Sequence, residues 1–204
     1  GSYGTRSRTA GRKSASESMA GSVPCPAPHR YCPNVPVLGL FPLALTLLPT
    51  ERVPLHIFEP RYRELIGECL DGERPFGIVR ALPDGHAEIG TLAEVTEVLQ
   101  RYADGRLDVL VRGGDRFRVV STSDSRAFLT AGTEPVEDED DPAPDDLVTR
   151  ARDLLDRLVD LTGSQIAPPD GSAALSFELA ARVELAEDVK QELLESLSER
   201  ERLG

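Results

Sequence analysis

Residues 38–69 constrain the chain more than any other stretch, because the hydrophobic period changes inside them. Residues 38–48 and 52–58 are apolar, strand-like runs separated by Leu-Pro-Thr-Glu, a proline-marked polar segment that predicts a hairpin reversal. From Pro60 the period becomes helical. Proline has the φ favoured at the first helical position, Glu59 puts a carboxylate at the positive helix end, and Tyr62, Leu65, Ile66, Cys69 and Leu70 form one apolar stripe. A helix entered directly from a strand must bury that stripe on the sheet the strands begin.

The rest of the chain continues both patterns. Residues 76–82 read as a strand closed by Pro-Asp-Gly, and residues 90–100 and 106–112 flank Asp104-Gly105, a strong hairpin signal. Leu107, Val109 and Val111 alternate with Asp108, Leu110 and Arg112, so one face is expected inside and the other outside. Gly113-Gly114 is expected to break or bulge the ladder, and residues 116–120 and 127–131 to add two more strands. Six or seven short strands with one early helix predict a small, partly open barrel.

Residues 134–146 hold eight acidic side chains and three prolines, the composition of a solvated, self-repelling linker, and they lack the glycine-kinked ligand spacing of a calcium loop. Beyond them the period is helical. Leu147, Ala151, Leu154, Leu155, Leu158 and Leu161 form a stripe stopped by Gly163. Leu175, Leu179, Ala180 and Val183 form a second after a loop holding Pro168, Pro169 and Gly171. Val189, Leu193, Leu194 and Leu197 form a third, and Ser198 with Glu201 makes a capping-box pattern. The expected organisation is an N-terminal extension over 1–34, a β-barrel subdomain over 35–136, an acidic linker over 137–146 and a helical bundle over 147–204. The extension is rich in Ser, Gly, Arg and Pro and is expected to be disordered.

Charge narrows the function classes. The chain holds 23 Lys and Arg against 35 Asp and Glu, a net charge of -12. Five of the bases (Arg6, Arg8, Arg12, Lys13 and Arg30) and only Glu17 of the acids lie in residues 1–34, so the body is more acidic still. Such a body repels phosphate backbones and anionic lipid, which argues against nucleic acid and membrane as partners. Three cysteines cannot form a closed disulfide set, and with no long apolar run or signal-peptide core the cytoplasm is the expected location. Cys25, His29 and Cys32 have a spacing that thiolate and imidazole ligands could use for zinc, but half a site does not specify a closed one, and neither metal nor cofactor is expected.

The chain has two lysines, Lys13 and Lys190. Neither follows the glycine-rich turn of a phosphate loop, and Lys190, on an acidic helix, lacks the desolvated setting of a serine-lysine hydrolase. The chain is therefore expected not to be an enzyme. His56, between Leu55 and Ile57, faces opposite to them and reads as either a hydrogen-bonded structural group or a ligand contact. Glu59 and Arg61 read as bracing the strand-to-helix junction, with Arg116 as a partner across the sheet.

The runs F-P-L (residues 41–43), L-P-x-E-x-x-P-L-H-I-F-E-P-R-Y-R-E-L (48–65), F-G-I-V (76–79), G-T-L-A-E-V (90–95), D-G-R-L-D-V-L-V-R-G-G-D-R-F-R-V (104–119) and L-S-F-E-L-A-A-R (175–182) together resemble the amino-terminal, substrate-binding domain of the ATP-dependent Lon proteases, especially bacterial stand-alone relatives without ATPase and protease domains. The resemblance spans about residues 35–203. It implies an α+β fold: a PUA-like pseudo-β-barrel with one early short helix, then a C-terminal α-helical bundle. It also implies a module that engages exposed apolar segments of unfolded or degron-bearing proteins, or an adaptor for a separate ATP-dependent protease, with a homo-oligomer as a further option. An apolar groove between barrel and bundle would be lined by Phe41, Pro54, His56, Phe58, Tyr62 and Phe76, some of which must instead fill the barrel. The alternatives are an RNA- or nucleotide-binding PUA-like domain and a structural or oligomerisation module.

Overall fold

The computed structural model describes residues 37–163, 169, 171 and 173–204. The readings of residues 1–34, including Cys25, His29 and Cys32, and of Pro168 lie outside the described residues. In chain order the elements are β1 (Val37–Leu43), β2 (Arg52–Ile57), α1 (Pro60–Gly72), β3 (Phe76–Leu82), β4 (Gly85–His86), β5 (Ile89–Arg101), β6 (Leu107–Ser123), β7 (Thr130–Pro135), α2 (Asp145–Thr162), α3 (Leu175–Ala180), α4 (Glu187–Glu195) and α5 (Glu199–Leu203). The architecture is mixed, a mostly antiparallel sheet with helices, and Asn34–Gly204 forms one compact unit.

The opening hairpin does not form. β1 runs parallel to β3, with Leu40 opposite Gly77, and antiparallel to β7, with Val37 opposite Gly132. Both of its edges are therefore occupied. β2 pairs with β6 instead, from Arg52 opposite Arg112 to Ile57 opposite Leu107. The segment between β1 and β2 crosses the end of the sheet as a plug. Leu47 and Leu48 are buried, and the Thr46 hydroxyl donates to Gln191 Oε1 at 3.2 Å.

β5 and β6 are the long hairpin on which the sheet is built. At its tip Tyr102 N–H donates to Arg106 O at 3.0 Å, and Gly105 has φ 86°. The expected strands at 106–112 and 116–120 are one continuous strand, β6, and the Gly113-Gly114 signal marks a bulge within it. Thr91 faces Arg116 and Ala93 faces Gly113, so Gly114 and Asp115 oppose Leu92 alone. The bulge divides β6 into two uses: residues 107–112 pair with β2, and residues 117–123 with β7. The order β1-β7-β6-β5-β3, closed by the β1–β3 pairing, makes a ring of five strands with β2 extending one end. The last strand lies at Thr130–Pro135 rather than 127–131, because Phe128 is spent as a core residue before the ladder begins.

α1 packs its expected stripe. Tyr62, Leu65, Ile66 and Cys69 join Leu55, Ile57, Val109 and Val111 in the main core cluster. The inward alternation read from residues 107–111 is observed, since Leu107, Val109 and Val111 are all buried. A second cluster joins Leu48 and Ile89 to Phe177, Ala180 and Leu194, which seats α3 and α4 against the sheet.

The C-terminal stripes are only partly buried. α2 ends as expected at Gly163, in the left-handed region with its N–H on Val159 O at 2.9 Å, but of its leucines only Leu155 is buried. α3 stops at Ala180, short of Val183, and buries Ser176, Phe177, Glu178 and Ala180. The Ser198 hydroxyl accepts from Glu201 N–H at 3.2 Å, whereas the Glu201 carboxylate reaches Ser196 Oγ at 3.3 Å, so half of the capping box forms. No helix among the described residues is long and apolar enough to cross a membrane.

Candidate functional site

The alternation of β2 sorts its side chains. Leu55 and Ile57 point into the core, while Pro54 and His56 point out and lead to Phe58, which is 59% exposed. Register then places Asp108 opposite His56 and Leu110 opposite Pro54. His56 Nδ1 lies 2.5 Å from Asp108 Oδ1, and Tyr102 at the hairpin tip donates its hydroxyl to Asp108 Oδ2 at 2.7 Å. These two hydrogen bonds, that of His56 first, hold the Asp108 carboxyl below its ordinary range, while the same bond from the other side pushes the Tyr102 phenol up. The His56 ring stacks on Phe58 with centroids 5.9 Å apart and meets Tyr102 edge-on at 5.9 Å, and Arg106 covers Tyr102. The result is a held aromatic platform on β2, whose edge away from β6 pairs with no strand among the described residues.

The other candidate aromatics are elsewhere. Phe41, Tyr62 and Phe76 are buried in the main core, where Phe41 and Tyr62 stack with centroids 3.9 Å apart. Burial pushes the Tyr62 phenol up. The structure thus places Pro54, His56 and Phe58 at the surface and buries Phe41 and Phe76 in the main core with Tyr62 of α1. Tyr102 and Asp108 were not singled out from the sequence. The signal for both was the pairing of β2 with β6, which the expected hairpin between β1 and β2 hid.

Glu59 and Arg61 meet at the junction, with Arg61 Nε donating to Glu59 Oε2 at 2.8 Å and the Arg61 guanidinium over the Tyr62 ring at 4.5 Å. Glu59 makes no side-chain hydrogen bond as N-cap, because its carboxylate is engaged by Arg61. Arg116 is not part of this cluster. It lies at the bulge end of β6, where it donates to Leu194 O and Ser196 O at 2.8 Å each and pairs with Asp138. Arg202 binds the same carboxylate, at 2.7 Å to Oδ1 and 2.5 Å to Oδ2, and both guanidiniums lie over Phe177. Burial works against the charge on Asp138, but Arg202 and then Arg116 outweigh it and hold the carboxyl below its ordinary range. The acidic stretch is thus not wholly solvated: Asp138 ties the sheet to the C-terminal helices.

Lys190 has a similar role. Its Nζ lies 2.5 Å from Glu51 Oε1, and the other Glu51 oxygen accepts from Leu48 N–H at 2.9 Å, so α4 clamps the crossing segment. Beside this clamp a cleft of about 610 Å³ opens where β6 passes from β2 to β7. Pro49, Thr50, Leu92, Gly114, Ala174 and Phe177 are among its walls. Thr50 has φ 67°, and its buried hydroxyl has no hydrogen-bond partner among the described residues. Among the described residues no group of three or more His, Cys, Asp or Glu side chains is placed to hold a metal ion.

The comparisons bear on both fold and family. A Lon N-terminal domain protein from Xanthomonas campestris superposes with a TM-score of 0.67 at 28% identity, covering 83% of this chain and 95% of that one. The N-terminal domain of Mycobacterium avium complex Lon protease shares the fold, with a TM-score of 0.64 at 22% identity over 82% of this chain and 94% of that one. Lon protease of Solibacter usitatus is 30% identical over 59% of this chain and 16% of its own length. Lon protease 1 of Hydrogenovibrio crunogenus is 26% identical over 81% of this chain and 23% of its own. The LON peptidase N-terminal domain and RING finger protein C14F5.10c of Schizosaccharomyces pombe is 34% identical over 39% of this chain and 20% of its own. The chain thus spans about a fifth of the length of these curated relatives. The sequence profile described as the ATP-dependent protease La (LON) substrate-binding domain matches residues 37–204, and the chain belongs to that family.

Proposed function

We propose that the chain is a non-catalytic protein-recognition module that holds exposed apolar segments of unfolded or degron-bearing proteins, for itself or as an adaptor to a separate ATP-dependent protease. Membership of a substrate-binding family implies a substrate-recognition role, and the finer reading rests on one observation. Phe58 is a large aromatic side chain exposed just past the end of β2, stacked on His56, which meets Tyr102 and is held with it by Asp108. Such a surface is costly in water and gains when an apolar partner covers it, and aromatic anchors of this kind dominate binding energies. The edge of β2 away from β6, which pairs with no strand among the described residues, offers backbone groups to an extended segment, with Pro54 limiting how far a ladder could run. In this reading a PUA-like barrel over 35–136 carries the surface, and a helical bundle over 147–204, reached through 137–146, braces it.

The test is equilibrium binding of a fluorescently labelled, permanently unfolded protein, without ATP. Phe58→Ala should weaken binding about 10-fold or more, with an unchanged circular dichroism spectrum. Equal affinities for wild type and a folded Phe58→Ala/His56→Ala variant would remove the surface from consideration. A second reading uses the cleft, because Thr50 in its wall combines a strained φ with a buried hydroxyl that has no hydrogen-bond partner among the described residues. Loss of binding in Ala174→Leu alone would favour it. Saturable RNA binding at physiological salt would replace both readings.

A further inference from the structure

α2 is the longest described helix and the least covered. Exposure falls steadily around it, from 85% at Leu161 to 55% at Leu154, 38% at Leu158 and 9% at Leu155. At about 100° per residue, Leu147, Leu154 and Leu161 lie on one line along the helix. Ala151 and Leu158 lie beside that line toward buried Leu155, the side that packs on α3 and α5. On the opposite flank run Arg150 and Arg157, and just behind them Asp153 and Asp160. None of these four is used by an ion pair among the described residues.

We propose that this ridge docks on the same ridge of a second copy of the chain, α2 against α2 and antiparallel, about a two-fold axis at the level of Leu155. An antiparallel pair brings like flanks together, so the charged flank meets itself in reverse order. With the axis at Leu155, Arg157 faces Asp153 of the second copy and Arg150 faces its Asp160, each repeated by the symmetry. The same axis drops Leu154 between Leu154 and Leu158 of the second copy, and Leu161 between its Leu147 and Ala151. Apolar interdigitation and charge pairing therefore select one register. Moving the axis by two residues sets Arg157 against Arg157 or Asp153 against Asp153. A parallel pair would set the charged flank against the flank that α3 and α5 already occupy.

The helix is about 27 Å long, so this contact alone buries less than the roughly 800 Å² per partner of a standard interface, and the dimer is a weak one in the micromolar range. Sedimentation velocity of the full chain from about 1 to about 300 µM should show a concentration-dependent monomer–dimer equilibrium. Arg150→Asp/Arg157→Asp and Asp153→Arg/Asp160→Arg should each be monomeric, with dissociation constants raised about 10-fold or more, and an equimolar mixture of the two should dimerise again. Leu154→Ser/Leu161→Ser should remain monomeric in every mixture. A wild type that stays monomeric throughout, a dimer indifferent to the charge reversals, or folded reversed variants that fail to pair with each other would each overturn the proposal.

Discussion

At the scale of single residues, Gly113 shows how closely the sheet approaches its plug. A Cβ at this position would lie 2.1 Å from Leu48 O and 3.0 Å from Leu48 C, both backbone atoms that cannot swing away. The approach is held from both sides, since Thr50 N–H donates to Gly113 O and Gly113 N–H to Glu51 O, each at 2.9 Å. Gly113→Ala should therefore cost about 2–3 kcal/mol, read as a lower urea midpoint with unchanged slope. Gly67, inside α1 with nothing within 4 Å of its would-be Cβ, is the control: Gly67→Ala should stabilise by about 0.5–1 kcal/mol. If both substitutions prove neutral, the close contact at Gly113 is not present in solution. Residue-scale reading of the sequence went furthest where neighbours decide orientation. The outward placement of His56 followed from Leu55 and Ile57 on either side of it. The division of the aromatics into Phe58 at the surface and Phe41, Tyr62 and Phe76 within did not, because all are compatible with burial and only packing decides.

At the scale of elements, α1 was legible because proline, apolar spacing and a strand before it agree on one answer. Its stripe includes Cys69, whose thiol is pushed up to about 11 by burial first and the charge of Glu68 second. Such a thiol is neutral and shielded. Iodoacetamide at about pH 8 should leave Cys69 unmodified in the folded chain and alkylate it on unfolding in urea, read by peptide mass mapping. Rapid native labelling would mean that α1 lifts from the sheet. The separate partners of β1 and β2 were not legible, since Leu45, Leu47 and Leu48 have the composition of a strand and are used instead as a plug. α2 is the converse case: its stripe was correctly periodic, yet a periodic stripe does not say which partner covers it, and among the described residues Leu155 is the one leucine of α2 that is buried.

At the scale of the whole molecule, the sheet and the C-terminal helices are joined by a polar hub in which two guanidiniums share one carboxylate. Asp138 has a folded pKa below its unfolded value of about 3.9, so its stabilising contribution is present above that value and is lost as pH falls through the folded one. Asp138→Asn leaves Arg116 and Arg202 without their anion and should cost about 2–3 kcal/mol near neutral pH. The gap to wild type should narrow below about pH 4, as read from urea midpoints across the acid range. A gap that stays constant with pH would mean that Asp138 acts by packing alone. Nothing local in residues 134–146 announces this role, because the eight acidic side chains of this stretch look alike until two arginines from β6 and α5 select one of them. The chain by itself determined what depends on near neighbours: α1, the β5–β6 hairpin with its Asp-Gly turn, the bulge at Gly113-Gly114, the stop at Gly163, and the motifs that carry the family. The tertiary structure decided what depends on distant ones: the strand that β2 joins, the aromatics left in water, the carboxylate that closes the hub and the face of α2 left open. Turn and period preferences act within a few residues, whereas pairing and burial are settled by segments dozens of residues away competing for the same edge and the same core.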